Sequence, residues 1–262
     1  MSETIRYEVA DRIATITLNR PERMNAFTWE MTDAWADALS EAQRDDAVHV
    51  VIVTGAGKAF CSGGDIGAMG ERQDRTPLMR KEELAGHVQR IPLTLEAMDK
   101  PVIAAINGAA TGAGMDLALQ CDLRFAASSA RLGETYVRVG LVPGAGGTWF
   151  LPRLVGTAKA LELFWTGEII DAAEAERLGI VNKVVPDDQL MSHVRDIAAK
   201  IARGPQLSIR FIKRAVYQGT RIDLRTSLDL ISSHYAVVSS SADHKEAVAA
   251  YLEKRKPSFT GK

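Results

Sequence analysis

Residues 48–55, VHVVIVTG, are an almost unbroken run of apolar, mostly β-branched side chains. A strand with one wet face would alternate, so a run of this kind reads as a strand buried on both faces of a parallel sheet. Residues 101–122, PVIAAINGAATGAGMDLALQCD, repeat the plan: a strand over Val102 to Ile106, a Gly/Ala turn, then a helix starting near Gly114. LRFAAS and NKVVP add further short strands, and the alternation in IRYEVADRIATITLN predicts a hairpin turning near Asp11-Arg12 and stopped by Pro21. Thr28 opens an amphipathic helix through Met31, Trp35, Ala38, Leu39 and Ala42. The recurrence of strand, glycine turn and helix predicts an α/β core.

The last third is helical. DAAEAERLG carries a start signal at Asp171 with Glu174 three residues on, and a stop signal at Gly179. LSIRFIKRAVYQG and DHKEAVAAYLEKRKP follow as helices, with Asp243 and Glu246 as a second capping box. With no linker and no repeat, the chain divides into a core over 1–195 and a helical region over 196–262. Only residues 70–84, GERQDRTPLMRKEEL, read as loosely ordered, either a solvated surface or a mobile loop beside a site.

Composition narrows the function classes. The chain has 262 residues, 46% hydrophobic and 25% charged, with 32 basic against 33 acidic side chains. That balance gives no electrostatic excess to hold nucleic acid or an anionic membrane. No uncharged apolar run reaches about 18 residues, and the N-terminus lacks the pattern of a secretory signal. Cys61 and Cys121 stand in no metal-ligand spacing and read as small buried side chains in a reducing, cytoplasmic setting. No metal is expected.

Two glycine segments follow apolar strands, TGAGKAFCSGGD and INGAATGAGMD. Neither closes with the Gly-Lys-Ser/Thr of a P-loop, and neither has dinucleotide spacing. Each alone reads as a tight turn. Together they offer two outward-pointing backbone NH groups that can converge on one carbonyl oxygen and hold an enolate or tetrahedral oxyanion. One such donor is worth roughly 3 to 4 kcal/mol in a transition state. Asp116, on the first turn of the second helix, either complements the helix dipole or serves as general acid or base beside the oxyanion.

The motifs LNRPERMNAF, GAGKAFCSGGDI, KPVIAAINGAATGAGMDLALQCDLRFAA, GLVPGAGGTWFLPRLVG and EAVAAYLEKRKPSFTGK resemble the enoyl-CoA hydratase/isomerase (crotonase) superfamily over essentially the whole chain. The resemblance implies a crotonase-like ββα spiral core with a C-terminal helical trimerisation layer. It implies an acyl-CoA thioester substrate, with coenzyme A entering as part of that substrate and no separate cofactor, and a homotrimer or a hexamer of two trimers. The oxyanion donors fall at Gly64 and Ala113, the latter in place of the commoner glycine. Coenzyme A contacts fall at Arg23, Met24 and Ala26, and at Ser62, Gly64, Asp65 and Ile66; a basic residue that commonly follows is here Gly67. A neighbouring subunit's aromatic and lysine match Tyr235 and Lys254, for which a packed tyrosine and a solvated lysine are the alternatives.

The same resemblance puts the first of a hydratase's two acids at Asp116, one methylene shorter than the usual glutamate, a change of about 1.5 Å. The second falls on Tyr136, and an acid used by some isomerases falls on Gly144. Tyr136 is a poor base but a good hydroxyl donor. Glu134 reaches the same pocket if the chain there is extended; if a helix starts near Thr135, Glu134 serves as its cap, and capping is the preferred reading. Arg138 reads as a surface or subunit-interface charge. The expected activity is therefore acyl-CoA processing of the hydratase/isomerase type through a thioester enolate, with Asp116 as acid/base and isomerisation easier to defend than hydration. The alternatives are decarboxylation, thioester hydrolysis, or a catalytically weak CoA-ester binding protein.

Overall fold

In the computed structural model, which describes residues 3–70 and 74–261, the apolar run lies at the middle of a sheet. Ahead of it, β1 (Ile5–Ala10) and β2 (Ile13–Leu18) pair antiparallel with Ala10 opposite Ile13. Asp11 and Arg12 form the turn with φ of 52° and 64°, the pair of left-handed residues that suits the twist of a two-residue hairpin. Pro21 opens a 3-10 turn, Pro21–Arg23. α1 (Trp29–Arg44) then starts at Thr28, whose hydroxyl accepts the Met31 NH, and it buries Met31, Trp35, Ala38, Leu39 and Ala42.

Two-strand units follow. β3 (Val50–Gly55) and β4 (Ala59–Cys61) lead into three short helices, α2 (Ile66–Gly70), α3 (Pro77–Glu83) and α4 (Arg90–Ala97). β5 (Val102–Ile106), β6 (Ala109–Thr111) and α5 (Ala113–Leu119) repeat the arrangement. β7 (Leu123–Ala127) and β8 (Arg131–Gly133) repeat it again, ending in a 3-10 turn at Thr135–Val139. α6 (Gly147–Val155), α7 (Thr157–Thr166), β9 (Ile169–Asp171), α8 (Ala172–Arg177), β10 (Lys183–Val185) and α9 (Leu190–Ala202) complete the core. The first strand of each unit joins a six-stranded sheet, β1-β2-β3-β5-β7-β10, and the second joins a four-stranded sheet, β4-β6-β8-β9. Among the described residues, the β1–β2 and β8–β9 pairs are antiparallel and the other strand pairs parallel.

The missing alternation in β3 now has a cause. Val51 and Val53 belong to the main core with Trp35 and Leu39, whereas Val50 and Ile52 face a second core built with Leu190, Val194 and Ala198 of α9. Both faces are covered, as a parallel strand requires.

Several expectations about the last third need correction. The division at 195/196 falls inside α9, whose apolar face is packed on the large sheet, so the outer helical layer begins with α10 (Gln206–Gly219) and continues through α11 (Leu224–Ser239) and α12 (Ala242–Leu252). Asp171 caps α8 by accepting the Glu174 NH at 2.8 Å, as expected, and Gly179 has φ of 75° at its end. The second capping box does not form. Ser241 caps α12, its hydroxyl accepting the His244 NH, because this hydroxyl sits at the last extended residue. Asp243 is thereby released to accept the NH groups of Thr260 and Gly261 at 2.7 and 3.0 Å, while Glu246 binds Arg255 and the Ser258 NH; both acids fasten the C-terminal tail. The stretch expected to be loosely ordered contains α3, capped by Thr76, and a π turn over Leu84–Val88; residues 71–73 lie outside the described part. Both cysteines are free and buried, and burial pushes each thiol up to about 12. Among the described residues no helix is long and apolar enough to cross a membrane.

Candidate active site

Where the loop after β4, the start of α5 and the Thr135–Val139 turn meet, the chain forms an open cavity of about 510 Å³. Gly64, Ala113, Tyr136, Gly144, Met69 and Leu84 are among its lining. The two glycine segments and the opening of the GAGG loop are thus brought to one wall.

The direction of the Gly64 NH follows from its neighbours. Phe27 donates its NH to the Gly63 carbonyl at 2.9 Å and accepts the Asp65 NH at 3.0 Å, a parallel bridge centred on Gly64. The residue spanned by such a pair of bonds turns its own NH to the other side, away from Phe27. Ala113 is the first residue of α5, where no carbonyl one turn back can receive its NH. A Cβ added at Gly63 would stand 3.4 Å from the Ala113 nitrogen, and one added at Gly114 would stand 2.0 Å from the Cys61 carbonyl oxygen. The small residue at 114 therefore lets the helix start press against the loop that carries Gly64. Gly64 and Ala113 thus both line one cavity, on segments that pack closely against each other.

Behind this wall sit two carboxyls. Asp116, on the first turn of α5, and Glu134, just ahead of the 3-10 turn, are both fully buried. The Tyr136 hydroxyl donates to Asp116 Oδ2 at 2.7 Å and the Ala145 NH donates to the same oxygen at 3.2 Å. Tyr136 and Ala145 line the cavity, and Asp116 lies directly behind them. The Gly147 NH, at the start of α6, also favours the charged form of Asp116. Burial nevertheless raises the Asp116 carboxyl above its ordinary range, against the pull of these donors. Burial raises Glu134 much further, and the charge of Asp116 beside it adds to the effect. Burial and the same neighbour keep the Tyr136 phenol protonated.

The preferred reading of Glu134 as a helix cap is corrected here. The 3-10 turn does begin at Thr135, but Glu134 makes no capping hydrogen bond and its carboxyl turns inward to within hydrogen-bonding reach of Asp116. A charged cap wants solvent or a free NH; this side chain has neither. Arg138 is exposed, as expected of a surface charge, and it also lines the cavity. Glu134 has no lysine, arginine or histidine facing it among the described residues.

The segments expected to meet coenzyme A are placed unevenly. Ser62, Gly64 and Ile66 line the large cavity, and Asp65 lines an adjoining one of about 170 Å³. Arg23 and Met24 are exposed outside both, and the Ala26 carbonyl accepts Arg20. Asp65 also has local work: it pairs with Arg20 at 3.1 Å and accepts the Gly67 and Ala68 NH groups at the start of α2. Tyr235 is 72% exposed on α11 and Lys254 is exposed just past α12, so neither meets the cavity within one chain.

Sequence reading missed three participants. Ala145 and Gly147 supply NH groups to Asp116, and a Cβ at Gly147 would lie 1.8 Å from Asp116 Oδ1. Asn25, at φ 55° and fully buried, ties the loop before Phe27 by donating to the Ala56 and Ala59 carbonyls at 2.9 and 2.7 Å. The glycine cluster at 144–147 was the available signal for the first two.

Comparison with known proteins finds relatives along the whole chain. The enoyl-CoA hydratase/isomerase family model matches residues 8–262. A crotonyl-CoA hydratase of Syntrophomonas wolfei is 39% identical over 261 residues, 99% of each chain. The 1,2-epoxyphenylacetyl-CoA isomerase of Escherichia coli is also 39% identical, with 100% of each chain covered. Among solved structures, an enoyl-CoA hydratase from Bacillus anthracis superposes with a TM-score of 0.91 at 37% identity, covering 99% of this chain and 100% of that one.

Proposed function

We propose, from the premise that this chain belongs to the enoyl-CoA hydratase/isomerase family and is an acyl-CoA-processing enzyme, that it moves a double bond through a thioester enolate with Asp116 as acid/base. The Gly64 and Ala113 NH groups receive the thioester oxygen as it gains charge. Two backbone donors aimed at one oxygen stabilise charge as it develops there. The proton leaves the substrate for Asp116 by way of the Tyr136 hydroxyl: the substrate's C–H proton passes to the tyrosine oxygen as the tyrosine proton passes to Asp116 Oδ2, and the C–H electron pair becomes the enolate. The return of the proton to C2 or C4 completes exchange or isomerisation. The observation that carries this reading is the 2.7 Å bond from Tyr136 to Asp116 at the wall of a cavity that both NH groups line.

Hydration has less support, because a second carboxyl able to hold water must face the cavity. Glu134 faces Asp116, and the position nearer the cavity is a tyrosine. Coenzyme A belongs to the substrate, and its carriers are the segments at 23–26 and 62–66. Exposed apolar side chains on the outer helices, among them Ile212, Val216, Leu228, Tyr235, Tyr251 and Leu252, support self-association as a trimer or a pair of trimers that brings Tyr235 and Lys254 to a neighbour's site. The free buried thiols suit a reducing cytoplasm.

A panel of acyl-CoA thioesters in D2O, followed by mass spectrometry, tests the proposal. Deuterium at C2 or C4 is the expected result. Net 3-hydroxyacyl-CoA from crotonyl-CoA, loss of a carboxyl group, or release of free coenzyme A would each replace it with hydration, decarboxylation or hydrolysis. Affinity without turnover would leave a binding protein.

A further inference from the structure

We propose that Asp116 and Glu134 share one proton, held on Glu134 at neutral pH, and that the Tyr136 hydroxyl is the pair's outlet to the cavity. This deepens the proposed acyl-CoA reading and rests on it for its catalytic meaning. Glu134 is a positioning residue: it acts through Asp116 and touches no substrate.

The distribution of donors assigns the proton. Asp116 faces the Tyr136 hydroxyl, the Ala145 NH and the Gly147 NH. Neither Glu134 oxygen has a partner of its own, and Asp116 Oδ1 is also unpaired. All three oxygens are buried. Two carboxylates in such a place repel each other and leave acceptors unsatisfied. One proton on Glu134, donated to Asp116, removes the repulsion and gives partners to both side chains. Charge then stays on the carboxyl that accepts two hydrogen bonds and has the Gly147 NH beside it, at the start of α6, where a helix favours an anion. The other groups around the pair do not alter this count: Tyr136 is protonated, and the Gln120 amide, which donates to the Asp116 carbonyl at 3.1 Å, is neutral. No salt bridge among the described residues involves either carboxyl.

The consequence is a fixed proton inventory. When Asp116 takes the substrate's proton through Tyr136, the pair becomes fully neutral and its single charge moves to the enolate. Loss of the Glu134 proton at alkaline pH would place a second charge behind Tyr136 and stop the cycle.

Glu134→Gln keeps the size and a neutral NH donor toward Asp116 but cannot titrate. Two readouts test it. In infrared spectra, the wild-type protein at neutral pH is expected to give a buried protonated-carboxyl C=O band that the variant loses. In deuterium exchange of crotonyl-CoA, the alkaline limb of the pH profile is expected to vanish in the variant while the acid limb, set by Asp116, stays. A structural role alone would lower the rate without moving either limb. An infrared band that is absent in wild type, or that persists in Glu134→Gln, overturns the proposal, as does an unmoved alkaline limb. If the variant fails to fold, Asp116→Asn is expected to shift loss of the band to a lower pH, since the neighbouring charge is gone, and an unshifted band overturns the pairing. If no thioester is processed at all, the acyl-CoA reading fails while the infrared band still decides the shared proton.

Discussion

Gly147 is a position where one methyl group interrogates the site. It lies at the start of α6 in a helical conformation that alanine adopts without strain, so the backbone itself offers no objection to Gly147→Ala. The side chain does. A Cβ there would stand 1.8 Å from Asp116 Oδ1, 2.8 Å from its Cγ and 3.2 Å from Glu134 Oε1. The Asp116 carboxyl must retreat by more than about 1 Å, a misplacement of the size that costs on the order of a hundredfold in rate. Insertion of one methyl into a packed interior costs about 1–3 kcal/mol of stability. The expected phenotype is therefore a folded protein, slightly less stable, whose turnover of an enoyl-CoA in D2O falls about a hundredfold with a KM close to wild type. Steady-state exchange kinetics alongside a thermal melt measure both parts. A variant with wild-type kcat and an intact fold would refute the assignment of Asp116, because its carboxyl cannot remain where it is.

Ala113→Pro removes one oxyanion donor at a helix position where proline is tolerated, and kcat is expected to fall by about 10²–10³ with the fold retained; a circular dichroism spectrum and the exchange rate check it. Tyr136→Phe deletes a hydrogen bond that lowers the Asp116 carboxyl, so the acid limb of the exchange profile is expected to move to higher pH as the rate falls. Glu134 holds a proton in the folded chain that an unfolded chain releases above its ordinary value of 4.5. Wild-type stability is therefore expected to fall as pH rises from there toward the raised folded value, by up to about 1.4 kcal/mol per pH unit. Glu134→Gln is expected to lack that slope, and urea melts at a series of pH values measure the difference.

The sequence carried the fold because its strongest signals were local and repeated. The unbroken VHVVIVTG run marked a strand covered on both faces, and the hairpin turn, Thr28 and Asp171 each worked through contacts within a few residues. Asp116 stood out for the same reason, since a strand, a small-residue turn and a helix start place it, whereas Gly64 and Ala113 were singled out by the family resemblance. What escaped depended on distant chain. The direction of Glu134 is set by Asp116, 18 residues earlier, and by α6 beyond it, and local turn logic pointed to a cap. Asp243 likewise has a capping residue's spacing, yet the tail at Thr260 and Gly261 claims its carboxylate. Charged side chains follow the donors that tertiary structure brings to them, and spacing alone does not name those donors.

The claim on which the rest depends is that a proton moves between Asp116 and the carbon next to, or two bonds beyond, the thioester. Mass spectrometry of an enoyl-CoA incubated in D2O with the wild-type protein and with Asp116→Asn measures it directly. Deuterium at C2 or C4 is expected with the wild type, with a loss of about 10²–10⁴ in exchange rate with the asparagine, which keeps the shape and cannot take the proton. Full exchange by Asp116→Asn would contradict it.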